Sequence, residues 1–438
     1  MSVELEFSKF NKLKKASGPW GKIRSNGQRY FSKHGMPTRK DENWKYTSVQ
    51  EIPKIALQPV LIQNPKVKTD FSKIEPLLSK SFYNLVFING KLSHELSDFQ
   101  TLSGKVEIVQ LNQLTNKAKE VSPNFLSEFK ALRRAVGGVS QDSFEALNSA
   151  FSSCGIAIRI KKEASLDRPL HVIYYTDTKE NANYFKCFVI CEERSQFSLI
   201  ESYAGIKNGT YLSNTVTEVL LKKSSKVEYI RFQDDSLSAY NYGRTRFYLQ
   251  AQSHLESTSC SVGAKLGRHN LDIYFVGPEG FAQVNGLYLS SGSQHLDSHT
   301  LIDHVVGRCT SRQHYKGILD NSSRAVFDGK VVIRQDAQQA SSDQLNNNLL
   351  LSSKAEVDSK PQLQIYADDV KATHGSTVGQ LNQEEIFYFL SRAISKDKAM
   401  EMLSLGYVSE VIFQVSHQAT KSWLQEKVFS AYRRWRNS

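Results

Sequence analysis

From about Ala150 to Ala372 the chain keeps a single texture. Short runs rich in β-branched and aromatic residues recur, among them Gly155 to Ile160, Leu170 to Tyr175, Cys187 to Cys191, Thr215 to Leu221, Val227 to Phe232, Leu271 to Val276 and Ala325 to Ile333. Clusters of Gly, Ser, Asn and Asp separate them, and helical periodicity is almost absent, which is the pattern of strands joined by turns. So long a succession of short strands exceeds one sandwich and leaves a closed barrel, a propeller or a stacked solenoid. The polar corners favour the solenoid, whose coils allow ladders of like side chains, and Asn346-Asn347-Asn348 before Leu349-Leu350-Leu351 reads as a point where a coil turns inward. No strict repeat is legible.

The flanks differ. Residues 1–150 read as mostly helical and irregular, with one strand at Leu85 to Gly90 and one helix at Asn124 to Val136. Trp20, Tyr30, Phe31, Trp44 and Tyr46 are spaced too unevenly for one amphipathic helix and suit an arm docked on the main body. After Gly379 the spacing turns helical. Asn382 caps a first helix with Glu385 three residues on, a second runs from Lys396 to about Leu405 and stops at Gly406, and a third covers about Val408 to Phe429. The expected organisation is an N-terminal region (1–150), a β-core (151–380) and a C-terminal helical region (381–438).

Composition removes several function classes. The 438 residues carry a formal charge of +12, but Lys and Arg are spread along the chain and no nucleic-acid-binding motif appears, so a basic surface or an acidic protein partner is the expected meaning. There is no run of eighteen apolar residues, and Met1 to Phe10 mixes Glu with Lys, so neither a membrane span nor a signal h-region is expected and a cytosolic chain is. Five scattered cysteines do not form a disulfide framework. Cys187 and Cys191, four apart in an apolar run, share a strand face and are expected in a core. No nucleophile elbow, Walker loop or dinucleotide fingerprint is present.

Two stretches carry chemistry. His295, Asp297 and His299 alternate on a strand, so two imidazoles and a carboxylate share one face, as Zn²⁺ or Fe²⁺ would require; the competing reading is a polar ladder between coils. Pro361 to Gly379 begins as an alternating strand, meets paired carboxylates at Asp368 and Asp369, then places His374 between Ala372 and two glycines, where the composition turns to helix.

This last segment, with Arg39 to Thr47 and Gln294 to Thr300, resembles the SufD branch of the SufB/SufD family of iron-sulfur cluster assembly proteins, from about Met36 to about Tyr407. The resemblance implies a right-handed parallel β-helix between helical regions. It implies a non-catalytic scaffold subunit that pairs with SufB through β-helix ends, binds the SufC ATPase through its C-terminal helices and serves iron acquisition and cluster formation. It places the SufC contact on Glu384, Glu385, Phe387, Tyr388, Arg392 and Ile394, and a ligand for iron or a nascent cluster on His374, with Asp368 or Asp369 nearby. Many relatives have Cys where this chain has Ala372; a methyl group cannot ligate iron or carry sulfur, so the thiolate must come from the partner. No cofactor is expected to stay on this chain alone, iron or cluster being transient in the complex, and a homodimer is open to the isolated chain. The alternative is a metal-dependent β-helix enzyme built on His295, Asp297 and His299.

Overall fold

The computed structural model describes residues 18–50, 52, 70–98, 102, 104–111, 125–138, 142–152 and 154–436; Met1 to Phe10, Asn124 and the Trp20 side chain lie outside them. Six α-helices are described: α1 (Gly18–His34), α2 (Phe125–Ala135), α3 (Ser143–Phe151), α4 (Gln383–Ser391), α5 (Lys396–Ile412) and α6 (Gln418–Arg436). The first strands are β1 (Tyr83–Ile88), β2 (Lys91–Ser93), β3 (Val106–Gln110), β4 (Cys154–Ile160), β5 (Leu170–Thr176) and β6 (Ala182–Cys191). They continue as β7 (Gln196–Gly205), β8 (Leu212–Leu221), β9 (Lys226–Gln233), β10 (Tyr240–Leu249), β11 (His254–Ser261), β12 (Leu266–Phe275) and β13 (Phe281–Ser290). The last are β14 (His295–His304), β15 (Thr310–Leu319), β16 (Arg324–Ile333), β17 (Ala340–Leu350), β18 (Glu356–Ile365) and β19 (Val370–Gly379).

From β4 onward the strands alternate between two sheets, each pairing in parallel with the strand two positions on. A ten-stranded sheet runs β19-β17-β15-β13-β11-β9-β7-β5-β1-β2 and a nine-stranded sheet runs β18-β16-β14-β12-β10-β8-β6-β4-β3. This is a parallel β-solenoid of two-strand coils, the fold class expected. Between the sheets lies one apolar core containing Val172, Val219, Phe247, Ile273, Val284 and Val331. Cys187 and Cys191 sit fully buried within it as free thiols, and burial pushes both thiols up.

One corner shows how the stack is made. Glu163, Arg194, Ser224, Gln252, Arg308 and Gln339 all adopt positive φ, a conformation costing roughly 1–2 kcal/mol for a side chain with a Cβ. Each N–H is satisfied by a carbonyl of the next coil: Arg194 N donates to Lys223 O, Ser224 N to Ala251 O, Arg308 N to Gln338 O and Gln339 N to Asp369 O. The recurring hydrogen bond offsets the recurring strain.

The strand expected at Leu85 to Gly90 is β1, and residues 83–110 add β2 and β3, so the N-terminal region builds one end of both sheets as well as helices. Two expectations need correction. Asn346 and Asn348 lie inside β17 rather than at a corner, buried between the sheets, where Asn346 Nδ2 donates to Tyr288 Oη at 2.9 Å. The helix read as stopping at Gly406 continues to Ile412, because Val408, Val411 and Ile412 pack on the outer face of the ten-stranded sheet against Ile230, Leu287 and Ile318. Tertiary burial outweighs the cost of one exposed helical glycine, about 1 kcal/mol.

Candidate functional site: the open rim of the solenoid

At its N-terminal end each sheet is finished by an antiparallel strand, β2 on β1 and β3 on β4. At the other end β18 and β19 are the outermost strands, and among the described residues nothing pairs with their outer edges.

His374 lies in the middle of β19. The sequence reading put it at the charged, glycine-flanked end of the strand that begins at Pro361; instead Asp368 and Asp369 form the corner between β18 and β19, and the chain runs ten more residues as strand before α4. At that corner Asp369 N donates to Gln338 Oε1 at 2.9 Å. In β17 the residues Ser342, Gln344, Asn346 and Asn348 are buried and alternate with more exposed neighbours, so they face the lumen. Their register partners in β19 are Ala372, His374, Ser376 and Val378, and Ala372 packs against the lumen core. His374 therefore stands on the lumen face, exposed because no further coil covers it.

The rim combines apolar and polar groups. Ile365, Tyr366 and Val378 are exposed large hydrophobics. Beneath them Ser359 Oγ contacts Ser376 Oγ at 2.8 Å and donates to Asn346 Oδ1 at 2.8 Å. Sequence reading missed Gln344, Tyr366 and Val378: Gln344 stands in one column with Gln313 and His374, a register that no fixed spacing in the sequence announces.

His295, Asp297 and His299 do share the outer face of β14, but the carboxylate is committed. Arg268 Nη1 donates to Asp297 Oδ2 at 2.9 Å, and Thr47 Oγ1 donates to the same oxygen, which leaves His295 Nε2 as the donor to Thr47 at 3.0 Å. His299 Nε2 lies 3.0 Å from Asp297 Oδ1. Burial by itself would raise the Asp297 carboxyl, yet Arg268 and the flanking imidazoles hold it well below the usual carboxylate range. The polar network thus runs both between adjacent coils, Arg268 being the register partner of Asp297, and out to the N-terminal arm through Thr47. Trp44 anchors that arm, with Arg268 over its ring at 3.9 Å and Phe144 stacked at 5.3 Å. Among the described residues no three His, Cys, Asp or Glu side chains are grouped to hold a metal ion.

The C-terminal helices form a second surface. Asn382 caps α4, its side chain accepting from Glu384 N. Ile386 is buried, while Phe387, Tyr388 and Leu390 are 70%, 55% and 43% exposed. Glu384, Glu385 and Arg392 are exposed, Ile394 is half-buried, and the Arg392 guanidinium lies over the Tyr388 ring at 4.4 Å. The terminal basic cluster is a clasp: Arg433 pairs with Glu401, Arg434 with Asp234 and Arg436 with Asp320.

Comparison with known proteins matches residues 174–407 to the family described as SUF system FeS cluster assembly, SufBD core domain, and residues 11–172 to the SufBD protein N-terminal region. The chain is 30% identical to the iron-sulfur cluster assembly SufBD family protein slr0076 of Synechocystis, over 90% of this chain and 87% of that one. It is 30% identical to protein ABCI7, chloroplastic, of Arabidopsis thaliana (91% and 83%) and 27% identical to the iron-sulfur cluster assembly protein SufD of Escherichia coli (90% and 89%).

Proposed function

The chain belongs to the SufBD family of iron-sulfur cluster assembly proteins, and on that premise we propose that it is a non-catalytic cytosolic assembly subunit whose open rim pairs with the rim of a SufB-type partner. Its C-terminal helices receive a SufC-type ATPase, and His374 offers a nitrogen ligand to iron or a nascent cluster passing between the two rims.

The observation that carries this reading is the position of His374, exposed on the lumen face of an end strand whose outer edge is unpaired. Two such edges with exposed apolar side chains invite pairing with another sheet, and a partner rim would close the lumen over the imidazole. Neutral imidazole is a good ligand for iron. Ala372 offers only a methyl group, so the soft ligand comes from the other chain. Support for the ATPase contact comes from α4, where Phe387 and Tyr388 are exposed beside Glu384, Glu385 and Arg392. The metal-dependent enzyme reading has no comparable support, since Asp297 is already held by Arg268 and Thr47.

The test is co-expression with SufB-type and SufC-type partners, affinity capture and iron analysis. His374→Ala should assemble at wild-type yield and carry about tenfold less iron, the size of effect expected when a metal site is disturbed; undiminished iron in the assembled complex refutes the assignment. Phe387→Asp with Tyr388→Asp should lose the ATPase and retain the rim partner, and retention of both refutes the role of α4.

A further inference from the structure

Near the rim the lumen stops being apolar. Gln313 Nε2 donates to Thr300 Oγ1 at 2.7 Å, and Gln344 Nε2 donates to Gln313 Oε1 at 2.6 Å. Each amide donates an N–H toward the body of the solenoid. The chain of donors therefore ends in an acceptor: Gln344 Oε1 has no hydrogen-bond partner, although the residue is only 1% exposed. An orphaned buried acceptor costs roughly 1–3 kcal/mol, which an apolar side chain at this position would avoid. Room for the amide is provided from the opposite sheet, where a Cβ on Gly329 would lie 2.4 Å from Gln344 Nε2.

Directly above that acceptor is His374. Gln344 and His374 are register partners, so their Cα atoms are about 4.8 Å apart and both side chains leave the sheet on the lumen face. An imidazole rotated toward the body is placed to donate to Gln344 Oε1, which in the structure accepts no hydrogen bond. With one ring nitrogen donating its proton there, the other carries the lone pair and faces out of the rim, because the two nitrogens sit on opposite sides of the ring. Metal-binding histidines are commonly held in this way, with the distal N–H given to a carbonyl oxygen that fixes tautomer and ring orientation.

We propose that Gln344 is the positioning residue for His374: its side-chain carbonyl takes one imidazole N–H and thereby aims the other nitrogen at the iron between the rims. The inference rests on the reading of His374 as a ligand, and the experiment separates the two. In the full chain labelled with ¹⁵N-histidine, the His374 signals are identified by their loss in His374→Asn, and their nitrogen shifts report the tautomer. Wild type should show one dominant tautomer. Gln344→Met, close in volume but without an acceptor, should show a mixture and lower the iron of the partner complex about tenfold. Wild-type tautomer populations in Gln344→Met overturn the positioning role whatever His374→Ala does to iron. A shifted tautomer with undiminished iron in both Gln344→Met and His374→Ala overturns the ligand reading, and the proposal with it.

Discussion

Replacing Glu145 with Ala should detach the N-terminal helices from the solenoid. Asp142 caps α3, accepting from Glu145 N at 2.9 Å, and the Glu145 carboxylate then receives both Arg246 Nη1 at 2.7 Å and Nη2 at 2.6 Å. Arg246 stands on β10 and is fully buried. A further acceptor is Asp272 Oδ2, 3.1 Å from Nε, an oxygen that also receives Arg244 Nη1 at 3.4 Å. Removing one partner of a buried ion pair costs about 3–5 kcal/mol, because the charge left behind stays desolvated. Asp272 retains part of the pairing, so about 3 kcal/mol is expected for Glu145→Ala. Removing both charges, as in Glu145→Leu with Arg246→Met, should cost much less than the sum of the single changes, giving a coupling of about 2 kcal/mol or more.

Hydrogen exchange across 143–151 reads the local opening, and Trp44 fluorescence, with its ring beside Phe144, reads release of the arm. The pH dependence gives an independent check. Burial alone would raise the Glu145 carboxyl, but Arg246, Arg244 and Lys186 hold it well below its ordinary value. A depressed folded-state pKa contributes stability that is present above the unfolded value of about 4.3 and is lost as pH falls below it. Wild type should therefore lose protection of α3 below about pH 4.3 more steeply than Glu145→Gln. Additive single-variant costs, or a Glu145→Ala cost under about 1 kcal/mol, would refute the assignment of this pair as the lock.

Gly317→Ala places a methyl 2.1 Å from Tyr288 Cε2, a ring whose hydroxyl is tied to Asn346 and Asn348, so a cost of about 1–3 kcal/mol is expected; an unchanged urea midpoint would count against it. His304 is fully buried and burial brings it down to about 4. The unfolded chain therefore takes up its proton first, and stability is lost as pH falls from about 6.5 to about 4, to a total of about 3 kcal/mol; His304→Gln should flatten that part of the profile, and an identical slope refutes it. Lys316 on β15, 4% exposed, donates to Tyr407 O at 3.2 Å and pairs with Glu410, so Lys316→Met should speed hydrogen exchange in 405–412 about tenfold, the equivalent of about 1.4 kcal/mol, and no change would show that the Lys316 contact does not hold α5.

The solenoid is legible in the sequence because its two signals are local: β-branched and aromatic runs of strand length, and polar corners between them. Register is a different matter. His254 pairs with Phe281, 27 residues on, whereas Thr310 pairs with Ser341, 31 residues on, so corners of unequal length erase any strict repeat. For the same reason Gln344 could not be placed under His374 from spacing alone. Val370 to Gly379 was obscured by its own composition, since Lys371, Thr373, His374 and Ser376 interrupt the apolar alternation that marks a strand. They form a strand because β17 supplies a complete ladder on one side. His295, Asp297 and His299 were legible as one face, but Thr47 and Arg268, which occupy that face, are distant in sequence and announce themselves only through packing.

The two ends of the solenoid make opposite arrangements for the same liability. On the N-terminal side both sheets end in short antiparallel strands from the chain itself, three residues in β2 and five in β3, which shortens the edge they present. At the other end the chain leaves β19 and turns to α4 without covering β18 or β19 by another strand among the described residues. Side chains there change accordingly: the lumen passes from Val284 in β13 through Gln313 and Gln344 to His374 along one column. An apolar lumen running to the rim would be stickier and would need no hydrogen-bonding inventory, while a wholly polar rim would have no use for exposed Ile365, Tyr366 and Val378. The observed mixture suits an edge that is tolerable in water and open to the proposed partner. Replacing Thr373 with proline tests that logic: it offers no N–H and demands a fixed φ, so it should abolish capture of the proposed rim partner while leaving the proposed ATPase contact on α4 intact. Capture of the rim partner at wild-type yield would show that the two chains meet elsewhere.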